Sequence, residues 1–347
     1  MLIDPGSSLG GARPKASVLD EKGNLWIAKF PSSKDDKNTG AWEMVLHELA
    51  KVCGIHVPDA RLLQFSGKHH TFLSKRFDRI KDKRIHFASA MTLLGYQDGA
   101  DFHDGLSYLD IVAFIIQQGA LVKADLEQLW RRVVFNILVS NTDDHLRNHG
   151  FILTNNGWQL SPAYDMNPNE MGSGLTLNIS ENSNEQDISL ALETAKHYKL
   201  KKDEAIKILN DMQLEIAKWR TVAKKLGMGS SEIEQMKRDA EMNAEADAKA
   251  RENADTMNQG DSMAFQAEKT LKDLDEKMTE EQKTQLSDAI SELRTALSEK
   301  DTEKVREATA KVAITSQTIT EGIYSQSSTD GEGGQTMDEE VSDVDFE

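Results

Sequence analysis

NTDDHLRNHGF (residues 141–151) and LSPAYD (160–165) decide the reading of this chain. Between them, GFILT and WQL are short apolar runs joined by Asn155-Asn156-Gly157, a turn signal for a hairpin. Two acidic loops therefore flank one hairpin, with Asn148 five residues after Asp143. A carboxylate to orient an attacking hydroxyl, with an Asn and a second Asp to hold Mg²⁺ against phosphates, is the set that phosphoryl transfer uses. Asp143 is the candidate base, and Asn148 and Asp165 are candidate metal ligands. Taken alone, TDDH reads more readily as an ordinary polar loop, because Asp, Asn and His are common in turns.

Upstream segments lift the signal. Residues 1–15 are rich in Gly and Ser and read as a loop containing Gly10 and Gly11; SVLDEKGNLWIAKF then predicts two short strands, the second carrying Lys29. TGAWEMVLHELAKVCGI repeats apolar residues at a helical period, with Gly54 at the position after the helix end and Pro58 beyond. This helix offers Glu43, with Glu48 on the same element as the alternative. Strands are expected at ARLLQF and HTFLSKRF, completing a small antiparallel sheet. Glycine loop, strand Lys, helix Glu, catalytic Asp with Asn, and second Asp occur in the order in which kinases use them.

From about Leu106 the pattern turns helical, in LDIVAFIIQQGA and ADLEQLWRRVVFNILVSNT, with further helices around 188–197 and 202–226. Trp130 and Phe135 read as core rather than ligand contacts. His69, His70, His86 and His103 show no metal-ligand spacing, and RFDRIKDKR (76–84) reads as a solvated turn between strands, with a surface that faces a substrate or a nucleic-acid-bound partner as the weaker alternative. A β-rich lobe followed by a helical lobe is expected, an α+β class.

Five tryptophans fall within the first 220 of 347 residues, whereas the last third is rich in Glu, Lys, Ala and Asp and has no proline. The character changes at Gly227-Met-Gly-Ser-Ser. Ser231 with Glu234, and Thr279 with Gln282, predict capping boxes. Leu286, Ile290, Leu293 and Leu297 form one helical stripe, and Val305, Ala308, Val312 and Ile319 an opposing one. The end, DEEVSDVDFE, is acidic and expected to be disordered.

The formal net charge of −17 argues against a dedicated nucleic-acid binder. A single cysteine, Cys53, excludes a disulfide framework and a cysteine-based zinc cage and fits a reducing cytoplasm. The longest apolar run, Ile111 to Ile116, is too short to span a bilayer.

SLGGARPKA, WIAKFPS, KRFDR, HFASAMTLLG, WRRVVFNILVSNTDDHLRNHGF and LSPAYDMNP together resemble the HipA family of toxin kinases of bacterial toxin–antitoxin systems, over about residues 5–228. The resemblance implies a bilobal, protein-kinase-like fold that phosphorylates a protein serine or threonine with ATP and Mg²⁺, a translation-related target being expected by family analogy. It implies Asp143 as catalytic base. ATP contacts would come from Gly10, Gly11, Ala12, Arg13, Pro14 and Lys15; from Lys29; from the hinge residues Lys75, Arg76 and Phe77; from His145, Leu146, Arg147 and Asn148; and from Tyr164 and Asp165. Ser8 matches a serine that some members autophosphorylate to silence the kinase. Implied partners are a helix-turn-helix antitoxin and the small N-terminal subdomain that family members carry before this loop; only seven residues precede Ser8 here, so that subdomain is expected either as a separate polypeptide or as a part lost by truncation. No direct nucleic-acid or membrane binding is expected.

SEIEQMKRDAEMNAEADAKARENAD, NQGDSMAFQAEKTLKDL and DEEVSDVDFE are similar to the helical lid and acidic C-terminus of DnaK-type chaperones. The expected organisation is a kinase-like domain over 1–228 with lobes dividing near 100, an all-α lid over 229–324 and a disordered tail over 325–347. Two function classes stand: an active protein kinase, or an inactive kinase-like and lid fusion acting as an interaction protein.

Overall fold

The computed structural model describes residues 2–3, 13–65, 67–80, 83–169, 172 and 174–329. Ser8, Gly10, Gly11, Ala12 and the acidic segment from 330 onward lie outside them. The backbone forms two compact units, one reaching Asn243 and the other beginning at Ala244.

The first unit opens with strands β1 (Leu2–Ile3), β2 (Lys15–Leu19) and β3 (Leu25–Lys29), then helix α1 (Thr39–Val52) and strands β4 (Ala60–Leu63) and β5 (Thr71–Lys75). These strands make one antiparallel sheet in the order β1-β2-β3-β5-β4. The short β1 lies in the stretch expected as loop. In β3 the side-chain alternation buries Trp26 and Ala28 on one face, which leaves Ile27 and Lys29 on the other. Lys15 stands directly opposite Lys29 in the register. Helix α1 ends as its sequence predicts, with Gly54 taking the left-handed conformation just beyond the last turn.

Next come a two-stranded ribbon, β6 (Arg79–Ile80) with β7 (Lys83–Arg84), then β8 (Phe87–Ser89) and helices α2 (Ala90–Leu94), α3 (Tyr108–Gln118) and α4 (Val122–Leu138). The hairpin β9 (Gly150–Thr154) and β10 (Gly157–Leu160) pairs through β9 with β8. Helices α5 (Ile188–Thr194), α6 (Lys202–Ile216) and α7 (Trp219–Lys225) complete the layer; the helix expected over 202–226 breaks between α6 and α7. Trp130 and Phe135 are fully buried in the large core, as their spacing predicts.

Helix α8 (Ser230–Asp273) starts one residue before Ser231, which is thus inside the helix rather than at its cap; Glu232 N–H donates to the Gly229 carbonyl. Ile233 and Met236 of its first turns join the large core, and this packing carries the first unit past the expected boundary at 228.

The second unit contains the rest of α8 with α9 (Glu280–Glu299) and α10 (Thr302–Thr329). The Thr279–Gln282 capping box is present. Leu286, Ile290, Leu293, Val305, Ala308, Val312 and Ile319 are buried together, with Leu297 packed against them. A Cβ at Gly260 would sit 2.7 Å from Val305 Cγ1, so only glycine lets α8 approach α10 this closely. Helix α10 continues into the segment expected as disordered, to Thr329. No helix among the described residues is long and apolar enough to cross a membrane.

Candidate active site

Lys29, Glu43 and Asp165 come together from three elements distant in sequence. The Lys29 ammonium bonds to Glu43 Oε1 and lies 2.6 Å from Asp165 Oδ1; Lys15 Nζ stands 3.8 Å from Asp165 Oδ2. Glu43 is the residue used: it is buried, whereas Glu48 faces outward beside His47. Burial acts to lower the Lys29 value, but the charges of Glu43 and Asp165 outweigh it and hold the ammonium protonated. Burial raises the Asp165 carboxyl, and Lys29 with Lys15 overcomes this, holding it at about 2. Glu43, which shares its cation with Asp165, is pushed upward by burial first. Asp165 has a φ of 59°, a left-handed conformation costly for a residue with a Cβ and found where the surroundings impose it.

These groups line a cleft of about 930 Å³. Lys15, Lys29 and Asp165 form its charged end. The expected hinge residues Lys75, Arg76 and Phe77 line it as well, as do Tyr164 and Arg147. Phe77 stacks 5.7 Å from Phe87 and 5.9 Å from Tyr164, giving the cleft an aromatic wall. The Arg76 guanidinium is committed to Asp78 through two bonds of 2.8 and 2.6 Å. Arg13 is similarly engaged, donating to Asp35 at 2.7 Å and Thr39 at 2.9 Å, so it braces the start of α1. Pro14 accepts from Phe30 N–H and continues the β2–β3 pairing.

The 141–149 segment stands beside this cleft. Asp143 is exposed and does not line the cavity, nor do His145, Leu146 and Asn148; Leu146 packs into the core. Asn148 Nδ2 donates to the Asp143 carbonyl at 2.9 Å, which commits the amide nitrogen and leaves its oxygen for a cation. Tyr164 O–H donates to the Arg147 carbonyl at 2.7 Å, joining this segment to LSPAYD.

Asp144, which the sequence reading passed over, anchors the loop. Its Oδ2 accepts from Tyr108 O–H at 2.8 Å, Asn136 Nδ2 at 2.5 Å and His149 Nε2 at 2.8 Å. Burial raises this carboxyl, but His149, Tyr108 and Arg132 outweigh that and keep it below the ordinary range. Arg132 donates to the Ser161 carbonyl, tying α4 to the second acidic loop; burial brings it down to about 10. The signal available in the sequence was the apolar context of α4, whose Asn136 and Arg132 are polar residues on a buried face.

The residues fit a nucleoside triphosphate with a divalent cation. The cleft has two lysines for phosphate charge, an ionised carboxylate and an aromatic wall, and the buried Asn167 Oδ1, next to Asp165, has no hydrogen-bond partner. Among the described residues no cluster of three or more His, Cys, Asp and Glu could cage a metal by itself; a magnesium ion held by one or two protein oxygens, phosphate and water needs none.

The family model of the HipA-like C-terminal domain matches residues 7–220. The chain belongs to this family. The HipA-like match takes in α1, the cleft and both acidic loops, and a model of the Hsp70 protein matches residues 205–325. Among solved structures, the chain is similar to HipA of Shewanella oneidensis MR-1, described as a toxin–antitoxin system with HipB and operator DNA: 18% identity, TM-score 0.54, 69% of this chain and 64% of that one. The chain thus spans less than two thirds of that HipA. The Helicobacter pylori proinflammatory kinase CtkA aligns at 14% identity and TM-score 0.40, over 61% of this chain and 94% of that one. The HipA-like domain accounts for the kinase-like fold, and the Hsp70 match overlaps its end over residues 205–220 and runs on through the helices that follow to 325.

Proposed function

We propose that this chain is an ATP-dependent serine/threonine protein kinase of the HipA type. The observation that carries the reading is the Lys29–Glu43–Asp165 cluster at the charged end of an aromatic-walled cleft. In this reading Lys29, fixed by Glu43, and Lys15 bind the phosphates, and the hinge segment Lys75 to Phe77 with Tyr164 holds the adenosine. Asp143, exposed where a protein chain can reach it, accepts the proton of a serine hydroxyl as that oxygen bonds to the γ-phosphorus and ADP leaves. Asn148 and Asp165 are the ligands for magnesium, which when bound offsets phosphate charge.

Regulation through Ser8, a translation-related substrate and a cytoplasmic site of action are parts of the same proposal, by family analogy. HipB accompanies the Shewanella HipA, and a helix-turn-helix antitoxin is the corresponding partner proposed here. We further propose the kinase-like part, 1–228, as the catalytic domain and the Hsp70-like helices as a lid-derived appendage without peptide-trapping activity.

The test is Mg-ATP binding by calorimetry, followed by mass spectrometry for phosphate on Ser8 or an added protein. Magnesium-dependent binding and phosphorylation are expected, with Asp143→Asn and Asp165→Asn abolishing transfer while the protein stays folded. Transfer that survives both changes sinks the role assignment; a folded protein that binds no Mg-ATP is an interaction protein instead.

A further inference from the structure

Helix α1 carries Glu43, and Arg13 braces its start through Thr39, yet its N-terminus lacks the usual capping groups. Its N-cap residue Asn38 makes no side-chain capping bond, and no acid lies in its first turn. Asn38 instead directs its side chain at His70, accepting from the His70 N–H at 2.9 Å and meeting His70 Nδ1 at 2.7 Å. The first turn is pressed onto the residue that leads into β5: a Cβ on Gly40 would fall 2.5 Å from the His70 carbonyl oxygen.

The missing anion comes from far along the chain. Glu232, in the first turn of α8, accepts through Oε1 from Asn38 N–H at 2.9 Å and from Trp42 Nε1 at 3.0 Å. Its neighbours Ile233 and Met236 are buried in the same core, and Trp42 packs 5.9 Å from Trp219 of α7. The Glu232 carboxylate thus meets an unpaired donor at the positive end of α1 and an indole N–H one turn further on.

Trp42 and Glu43 are consecutive, so their side chains leave the helix about 100° apart. One is held by Glu232 and the other by Lys29. We infer that Glu232 is a positioning residue for the Lys29–Glu43 pair: by fixing the rotation and axial position of the first turns of α1, it keeps the Glu43 carboxylate on Lys29. Glu232 lies beyond the HipA-like match and inside the Hsp70 match, and neither comparison bears on its role. A segment of the Hsp70-like region thereby completes the support of the nucleotide cleft. The consequence for phosphotransfer rests on the proposed kinase reading; the positioning itself does not.

The test reads Lys29 directly, without nucleotide. The full chain is treated with an amine-reactive N-hydroxysuccinimide ester, and acylation of the Lys29 peptide is measured by mass spectrometry, with circular dichroism to verify folding. Glu43→Gln removes one of the two carboxylates that hold the Lys29 ammonium in place, so the side chain is released more often and labelling should rise about tenfold, the factor for one charge-assisted bond. Glu232→Ala should raise it to a similar extent, because Glu43 loses its register. Glu232→Gln retains a neutral acceptor with about half the bond strength and should give about a threefold rise; it is also the variant to read should Glu232→Ala fail to fold. Labelling at the wild-type level in the folded Glu232 variants overturns the inference, and so does an unchanged Glu43→Gln. Mg-ATP binding by the wild type is measured in parallel: its absence defeats the kinase reading and leaves the positioning result standing.

Discussion

Removing the Asp144 carboxylate should destabilise the first unit more than any conservative change nearby. The side chain is 7% exposed, and one oxygen collects donors from α3, α4 and the segment before β9. Asp144→Ala strands three buried donors, each costing about 1–3 kcal/mol. A water admitted to the vacated space recovers part of this, and adjacent losses do not add fully. The expected destabilisation is about 3–5 kcal/mol, the usual size for breaking a buried ionic network. Asp144→Asn can still present an oxygen to the donors but without the charge; at about 1 kcal/mol per weakened bond it should cost about 2–3 kcal/mol. Urea unfolding followed by tryptophan fluorescence is the assay, because all five tryptophans lie in the first unit and the signal is blind to the second. A loss below about 1 kcal/mol for Asp144→Ala, far under the cost of three stranded donors, would refute the reasoning. So would Asn proving as damaging as Ala.

Lys29→Met leaves buried Glu43 without its cation and should cost about 3 kcal/mol, whereas adding Glu43→Gln should recover part of that loss; strictly additive urea midpoints would contradict the pairing. Asp165 is held at about 2 in the folded chain, below its unfolded value of about 3.9. The unfolded state therefore takes up the proton first as pH falls, and the stabilisation present above about pH 4 is lost toward pH 2. The stability difference between wild type and Asp165→Asn, measured across that window, should shrink as the pH drops; a constant difference would show that Asp165 is not held ionised by Lys29 and Lys15.

Much of the local structure was legible because short-range forces decide it. The β2–β3 hairpin, α1 with its terminal Gly54, the Thr279 cap and the paired stripes of α9 and α10 depend on residues within a turn or two of one another. Elements failed where tertiary packing intervened. Ser231 and Glu234 have the spacing of a cap, but the helix begins a residue earlier.

Pattern alone determined the α+β class, the identity of Lys29, Asp143, Asn148 and Asp165 as the candidate set, and the change of character near Gly227. It did not distinguish between like residues. Glu43 and Glu48 lie about 140° apart around one helix, and only the placement of α1 against the sheet turns Glu43 onto Lys29. Asp143 and Asp144 are adjacent and chemically identical, yet one is exposed and the other buried beneath three donors, because a loop leaving α4 can direct only one of the two inward. Lys29 meets Asp165 across 136 residues, and Asn38 meets Glu232 across 194. Contacts at such separations follow from how buried faces pack against one another, which no local period encodes.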